Sequence, residues 1–330
     1  MAAEAVPVLE IDGLRTQFPT KEGVVRAVNG VSLQLRAGQV LGIVGESGSG
    51  KTVTALSILR LVPYPGQIVG GRVLFQGRDI LAMNDDDLRH LRGSDISIVF
   101  QDAAHGLNPV LRIGDQIEEL LTSHLPIKKK QARAMAVEAL RKVGMPDPER
   151  AADRYTYQLS GGMSQRVMLA IAMALDPKVL IADEPTSNLD VTLQAQMLDQ
   201  VRRMKERSGT SVILISHDLG VMAQMADEIA VMYGGYIVER APKKVLFDKP
   251  LHPYTWALMR AVPRIDAPDK DLQALRGAPP DLMNLGEQCP FISRCNKALA
   301  MCRTKPMPAL AEVEPGHWLA CYNPIRYDWA

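Results

Sequence analysis

Gly45-Glu46-Ser47-Gly48-Ser49-Gly50-Lys51-Thr52 fits the pattern G-x-x-x-x-G-K-[S/T] at every fixed position. The flanks agree with it. Gln39-Val40-Leu41-Gly42-Ile43-Val44 is a near-continuous apolar run that stops at glycines, as a buried strand does. Thr52 to Leu61 then carries helical spacing. Glycines let the backbone curl so that successive N–H groups point inward, and the helix N-terminus adds positive dipole to that concavity. Gly45, Glu46, Ser47, Gly48, Ser49 and Gly50 thus read as a phosphate cradle, with Lys51 reaching the β- and γ-phosphates and Thr52 placed to ligate Mg²⁺. The alternative, a glycine-rich turn that binds nothing, leaves the strand–loop–helix setting unexplained.

Working outward, Val179-Leu180-Ile181-Ala182-Asp183-Glu184 is a buried-strand pattern that ends in two acids. At such a position Asp183 can hold Mg²⁺, directly or through water, and Glu184 can orient and deprotonate an attacking water. Further strands are expected at Val8–Ile11, Val24–Leu35, Gly71–Phe75, Ile96–Phe100 and Val212–Ile215. Asn84 to Arg92 predicts a helix with an acidic first turn, which suits the helix dipole. From about 104 to 175 the pattern is helical, with helices expected over Ile113–Leu125, Lys128–Val143 and Ser164–Leu175. Lys128-Lys129-Lys130 reads as a solvated helix face. Strands alternating with helices define an α/β domain, and the helical stretch is an insertion within it. Proline density rises after Pro242, which marks a boundary near 240–255.

A second glycine-bearing turn, Leu159-Ser160-Gly161-Gly162-Met163-Ser164-Gln165-Arg166, opens a helix ahead of the Asp183-Glu184 strand. Its N–H groups and the Ser160 hydroxyl form another natural anion site. Gln101 follows a strand, Ser187-Asn188-Leu189-Asp190 follows Glu184, and His217 sits in Ile215-Ser216-His217-Asp218. With these motifs in this order, the chain resembles the ATP-binding subunits of ABC transporters along essentially its whole length. The resemblance implies a P-loop NTPase fold with a RecA-like core, an antiparallel β subdomain and an inserted helical subdomain over about 104–175, followed by a small C-terminal extension. It also implies ATP and Mg²⁺ as ligands, with Thr52, Gln101 and Asp183 around the metal, and Glu184, Gln101 and His217 as the hydrolytic set. In that family two ATPase domains pack head to tail. Leu159, Ser160, Gly161, Gly162 and Gln165 would then act on a nucleotide held by the partner subunit, with Ser187, Asn188, Leu189 and Asp190 at the seam. Phe18 corresponds to an aromatic residue that stacks on adenine. Two positions depart from the family pattern: Ser164 stands where Arg or Gln is common, and Asn188 replaces a common Ala. Both lie near the expected seam and remove no catalytic group.

Leu251-His252-Pro253-Tyr254-Thr255, followed by a helical stretch from Trp256 to Val262, resembles the C-terminal extension of dipeptide and oligopeptide importer ATPases, a branch that includes nickel importers. Residues 1–250 are then the ATPase domain and 251–330 the extension. The partners implied are a second ATPase subunit (a distinct paralogue), two transmembrane permease subunits, and an extracytoplasmic peptide-binding protein reached through them. Nickel, opine or glutathione import are alternative cargoes. A soluble ABC protein of translation or DNA repair is the rival from another class, but it ordinarily carries two ATPase units or a long coiled coil.

Composition bounds this reading. Lys+Arg 38 against Asp+Glu 37 gives a net charge of +1, so no bulk field draws the chain to nucleic acid or anionic lipid. The longest apolar run, Val167 to Leu175, is far too short for a membrane span. The start MAAEAVPVLEIDG lacks the basic and apolar regions of a signal peptide. A peripheral place on the cytoplasmic face of the inner membrane follows as the expectation.

All four cysteines fall late, as Cys289-x₅-Cys295-x₆-Cys302-x₁₈-Cys321. In a cytosolic chain, thiols grouped in this way favour metal binding or catalysis over disulfides. Four thiolates suit zinc or an iron–sulfur cluster. A zinc ion at about 2.3 Å from each sulfur usually draws on C-x₂₋₄-C knuckles, and no pair here has that spacing. If Arg294 to Arg303 is helical, Cys295 and Cys302 lie two turns apart, roughly 10 Å between Cα atoms, which a [4Fe–4S] cluster tolerates better. The importer resemblance points the same way; unligated thiols and disulfides stay open.

Overall fold

The structure is a computed structural model that describes residues 6–101, 106–187, 190–261, 275, 277–283 and 285–327. Asn188, Leu189 and Val262 lie outside the described residues. The chain divides into two compact units, each assembled from separate segments.

The first unit takes in 75–215 with two short N-terminal pieces. Its sheet is parallel: Ile96–Val99 pairs with Val179–Asp183, which pairs with Ser211–Ser216. Every residue of the latter two strands is buried, which is why they read as unbroken apolar runs rather than alternations. The inserted helices are Ile113–His124, Lys129–Lys142 and Pro148–Ala152; the first two pack with Gly161–Met173, and the third packs on those two. Ala132, Ala136, Ala139 and Leu140 form the buried face of the second, at helical spacing, and their small size lets neighbouring helices approach closely. Glu118, buried in the first helix, is held by Arg133 at 3.2 Å. Lys128, Lys129 and Lys130 are exposed, as a solvated face requires. The helix expected from Ser164 starts three residues earlier, at Gly161, because the Ser160 hydroxyl caps it by accepting from the Met163 N–H. Helix Asp85–Ser94 is capped by Asn84 and breaks its regular geometry at Arg92 and Gly93.

The second unit joins 10–34, 41–74 and 216–330. Strands Val24–Leu35, Leu9–Pro19 and Gln67–Phe75 lie side by side in that order. The expected short strand at Val8–Ile11 is in fact 11 residues long, its burial alternating along the chain. Val40–Val44, buried throughout, runs parallel to Glu228–Tyr233, which pairs antiparallel with Tyr236–Pro242. Two strands of the extension continue this sheet: His317–Leu319 pairs with Tyr236–Pro242, and Ala311–Glu314 pairs with His317–Leu319. The sequence reading did not anticipate this hairpin. It also placed the extension's first helix too late; that helix is Pro253–Arg260, opened by a proline at its first turn. The conditional helix over Arg294–Arg303 does not form. Cys289 and Cys295 sit in successive turns, and only Cys302 is helical, within Ala300–Thr304. Among the described residues no helix is long and apolar enough to cross a membrane.

Candidate functional site

In the second unit the strand ending at Val44 delivers the chain to Gly45, and helix Lys51–Ile58 begins at the loop's far end. Two close approaches fix glycine there. A Cβ on Gly45 would lie 2.1 Å from the Met232 carbonyl oxygen. Gly50, at φ 105°, would place one 2.3 Å from the Ala27 carbonyl oxygen. Lys51 is almost fully buried, and its ammonium donates to the carbonyls of Gly45 at 2.8 Å and Glu46 at 2.9 Å. The lysine therefore arches over the loop, where its charge faces the concavity and holds the loop's curvature.

Glu46 is gripped at four atoms. Its carbonyl accepts from Lys51, and its N–H donates to the Tyr254 hydroxyl at 2.9 Å. Its carboxylate takes both terminal nitrogens of Arg294, at 2.7 and 3.0 Å. The Tyr254 hydroxyl is pushed well above the ordinary phenol range by burial, so it stays neutral beside the carboxylate. The Arg294 guanidinium is pushed up, first by its bond to Glu46, and is cationic at any relevant pH.

In the first unit the strand Val179–Asp183 ends in a deeply buried Asp183 and a half-buried Glu184. Glu184 adopts φ 46°, a left-handed backbone that a non-glycine residue holds at a cost of about 1–3 kcal/mol. Its N–H donates to the Ile215 carbonyl at 2.9 Å, and this anchors the turn. The Gln101 amide donates to Glu184 Oε2 at 3.2 Å. The Ser187 hydroxyl lies 3.0 Å from the Glu184 carbonyl and 3.1 Å from that of Gln101. Gln101, Glu184 and Ser187, read from separate motifs, thus meet in one cluster.

In the signature turn Ser160 and Gly161 are exposed, while Ser164 and Gln165 are buried. The Gln165 amide donates to the Pro185 carbonyl of its own chain, so its side chain braces the turn after Glu184. Asp190 caps helix Val191–Ser208 by accepting from the Leu193 N–H at 2.9 Å. Phe18 is half-buried in the second unit, its ring against Gly66, and His217 is exposed in the same unit, just past Ser216.

These residues fit ATP with Mg²⁺ by donor chemistry. In the second unit a glycine cradle beside a buried lysine suits a polyphosphate, and the Thr52 hydroxyl is a hard oxygen donor; in the first unit the Gln101 amide and Asp183 carboxylate oxygens are hard donors of the kind Mg²⁺ takes.

The sequence reading missed Tyr254, Tyr233 and Arg294 as supports of the loop, and Glu239 as the anchor of the extension. Glu239 is fully buried and accepts from the N–H groups of Leu251 at 2.7 Å and His252 at 2.8 Å, and pairs with His317 Nε2 at 2.7 Å. A lone acid inside an apolar strand was the only available signal.

All four cysteines line one pocket with Phe291, Ile292, Pro308 and Ala320. Its free volume is about 20 Å³, room for roughly one water. Among the described residues no group of three or more His, Cys, Asp or Glu side chains is drawn close enough to hold a metal ion. Burial pushes the thiols of Cys289 up to about 11 and Cys321 up to about 12, with repulsion from the other cysteines adding to both.

A phosphate loop, a strand-end Asp-Glu pair with its glutamine, and an exposed Ser-Gly-Gly turn capping a helix together define an ABC-type ATPase. The ABC transporter family profile matches residues 28–187, and the profile for the oligopeptide/dipeptide transporter C-terminal region matches 238–302. The chain is 45% identical to the dipeptide transport ATP-binding protein DppD of Bacillus subtilis, over 89% of this chain and 88% of that one. It is 42% identical to the oligopeptide transport ATP-binding protein OppD of Escherichia coli, over 98% and 95%. An ATP-binding cassette solved as a post-hydrolysis dimer with ADP and Pi superposes with a TM-score of 0.65 at 26% identity, over 71% of this chain and 98% of that one. The chain belongs to the ATP-binding proteins of peptide-type ABC transporters, and it is a transport ATPase. This sets aside the soluble rivals in translation and DNA repair.

Proposed function

We propose that this chain hydrolyses ATP to drive import of di- and oligopeptides through separate membrane permease subunits. The observation that carries the reading is the joint presence of the Gln101–Glu184–Ser187 cluster and a peptide-transporter-type extension whose Tyr254 and Arg294 hold the phosphate loop. Residues 1–250 serve as the ATPase domain and 251–330 as the extension. Lys51 and the loop N–H groups take the β- and γ-phosphates; Phe18 stacks on adenine. Thr52, Gln101 and Asp183 would hold Mg²⁺, which would neutralise phosphate charge. Glu184 accepts a proton from the attacking water, Gln101 orients the carboxylate, and His217 contacts the γ-phosphate. Leu159, Ser160, Gly161, Gly162 and Gln165 close on the nucleotide of a second, distinct ATPase subunit, with 187–190 at the seam. Closure and reopening drive two permease subunits at the cytoplasmic face of the inner membrane, which receive peptide from an extracytoplasmic binding protein.

Cys289, Cys295, Cys302 and Cys321 would be the ligands of a [4Fe–4S] cluster with a structural role only if the pocket opens beyond its present volume and the thiols draw around it. Their gathering in one apolar pocket supports this, and burial raises the pKa values of Cys289, Cys295 and Cys321, so that ligation there must displace protons. Brown protein absorbing near about 400 nm, with stoichiometric iron and sulfide, is the expected outcome; a colourless anaerobic preparation refutes it. For the ATPase reading, Glu184→Gln should trap an ATP-bound dimer and nearly abolish turnover. Wild-type turnover in that variant removes Glu184 from its role.

A further inference from the structure

The Cys289–Cys295 loop does more than carry two thiols. Between them stands Arg294, whose side chain is only 5% exposed and reaches the phosphate loop, 248 residues earlier in the chain. Its NH1 also lies 3.1 Å from the Tyr233 hydroxyl, and its NH2 donates to the Leu275 carbonyl at 3.4 Å. The guanidinium carbon sits 5.9 Å from the Tyr233 ring centre and 6.0 Å from that of Phe291. Pro290 packs on Gly234, where a Cβ would come within 2.7 Å. The loop is therefore wedged between the thiol pocket and the strand end at Tyr233. Phe291 does both jobs: it lines the thiol pocket and lies under Arg294.

On the other side, Glu46 is the residue whose carbonyl holds the Lys51 ammonium and the Ser49 N–H, the latter at 3.1 Å. A planar fork locked on its carboxylate, with Tyr254 on its N–H, fixes the peptide plane that sets where Lys51 points. A buried bidentate pair of this kind contributes little to stability once its desolvation is counted, but it is very effective at fixing one geometry. We infer that Arg294 is a positioning residue for ATP binding, and that through it the conformation at the cysteine pocket and nucleotide occupancy are thermodynamically linked. Linkage is reciprocal: a loop set by ATP must hold the thiols differently, and chemistry at the thiols must change ATP affinity. The inference rests on the loop's geometry and not on what the thiols carry.

The test is a cycle on the full chain with Glu46→Gln, Arg294→Gln and the double variant, read by fluorescent-ATP binding and by melting temperature without nucleotide. Each single change should weaken ATP binding by about tenfold or more, as expected for removing one partner of a bidentate pair whose arginine side chain is 5% exposed and whose glutamate side chain is 22% exposed. The double variant should be no weaker than either single one, and Arg294→Lys should recover part of the loss. Glu46→Gln is nearly isosteric at a partly solvated carboxylate and keeps the test open should Arg294→Gln fail to fold. ATP affinity unchanged within about twofold in both single variants, or losses that multiply in the double variant, overturns the positioning role. In the second arm, on colourless protein whose thiols are free to react, ATP with Mg²⁺ should slow maleimide labelling of Cys289 and Cys295 in wild type but not in Arg294→Gln. Equal labelling of wild type with and without ATP overturns the linkage. The colour of the preparation bears only on the cluster reading, so the two can fail separately.

Discussion

Replacing Glu239 should loosen the extension from the ATPase sheet. Its carboxylate accepts two backbone N–H groups, from Leu251 and His252, and pairs with His317 Nε2, all within 2.8 Å. Glu239, His252 and His317 are each at most 1% exposed, so no water can replace the lost acceptor. In Glu239→Ala each orphaned buried donor costs about 1–3 kcal/mol. Breaking one side of a buried pair of this kind costs about 3–5 kcal/mol in total, so the donors' penalties do not simply add. At about 2–4 °C per kcal/mol for units of roughly 150–250 residues, the melting transition of this unit should fall by roughly 6–20 °C. His317→Gln keeps an N–H donor facing the carboxylate and should lose less than about half as much. Differential scanning fluorimetry reads the shift. Limited proteolysis should show cleavage in 311–319 first, because that hairpin joins the sheet beside Glu239. A shift under about 2 °C in Glu239→Ala would refute the anchor.

Three further outcomes are expected. Burial holds the His252 imidazole down to about 4, against an ordinary 6.5, so between those values the unfolded chain binds a proton that the folded chain excludes. Stability should therefore fall as pH drops from about 6.5 to about 4, by up to about 3 kcal/mol, and level off below; His252→Asn, which retains an acceptor for the Tyr254 N–H, should flatten that slope in denaturant melts. Gly50→Ala must move the Ala27 carbonyl or the loop itself, so it should cut ATP affinity more than about tenfold while circular dichroism stays unchanged. In colourless protein, maleimide labelling of Cys321 should be slow near neutral pH and accelerate steeply toward about pH 12, where its thiol ionises.

Much of the fold was legible because its signals are local. Val24–Leu35 alternates as a strand with one buried face must, and its observed bounds coincide with the expected ones. The strands before the phosphate loop and before Glu184 were unbroken apolar runs ending in chemistry. The Gln101–Glu184–Ser187 cluster could be anticipated only by resemblance, since nothing in spacing alone brings Gln101 to a residue 83 positions away. What stayed illegible depends on distant pairings. Ala311–Glu314 is exposed at every position and carries two glutamates, so its pattern resembles a loop until it meets His317–Leu319. Arg294 looked like one more charge between cysteines, and its role appears only where Glu46 reaches it. Gln165 belongs to a motif placed at a partner's nucleotide by resemblance, and its bond to the Pro185 carbonyl of its own chain has no signal in the sequence.

The central claim is that this ATPase energises peptide import, and uptake in cells tests it most directly. Cells lacking this chain should lose uptake of labelled di- and oligopeptides while keeping nickel uptake. The wild-type chain should restore peptide uptake, and Glu184→Gln, although made and bound to its partners, should not. Peptide uptake that persists without the chain, or a loss confined to nickel, would contradict the account.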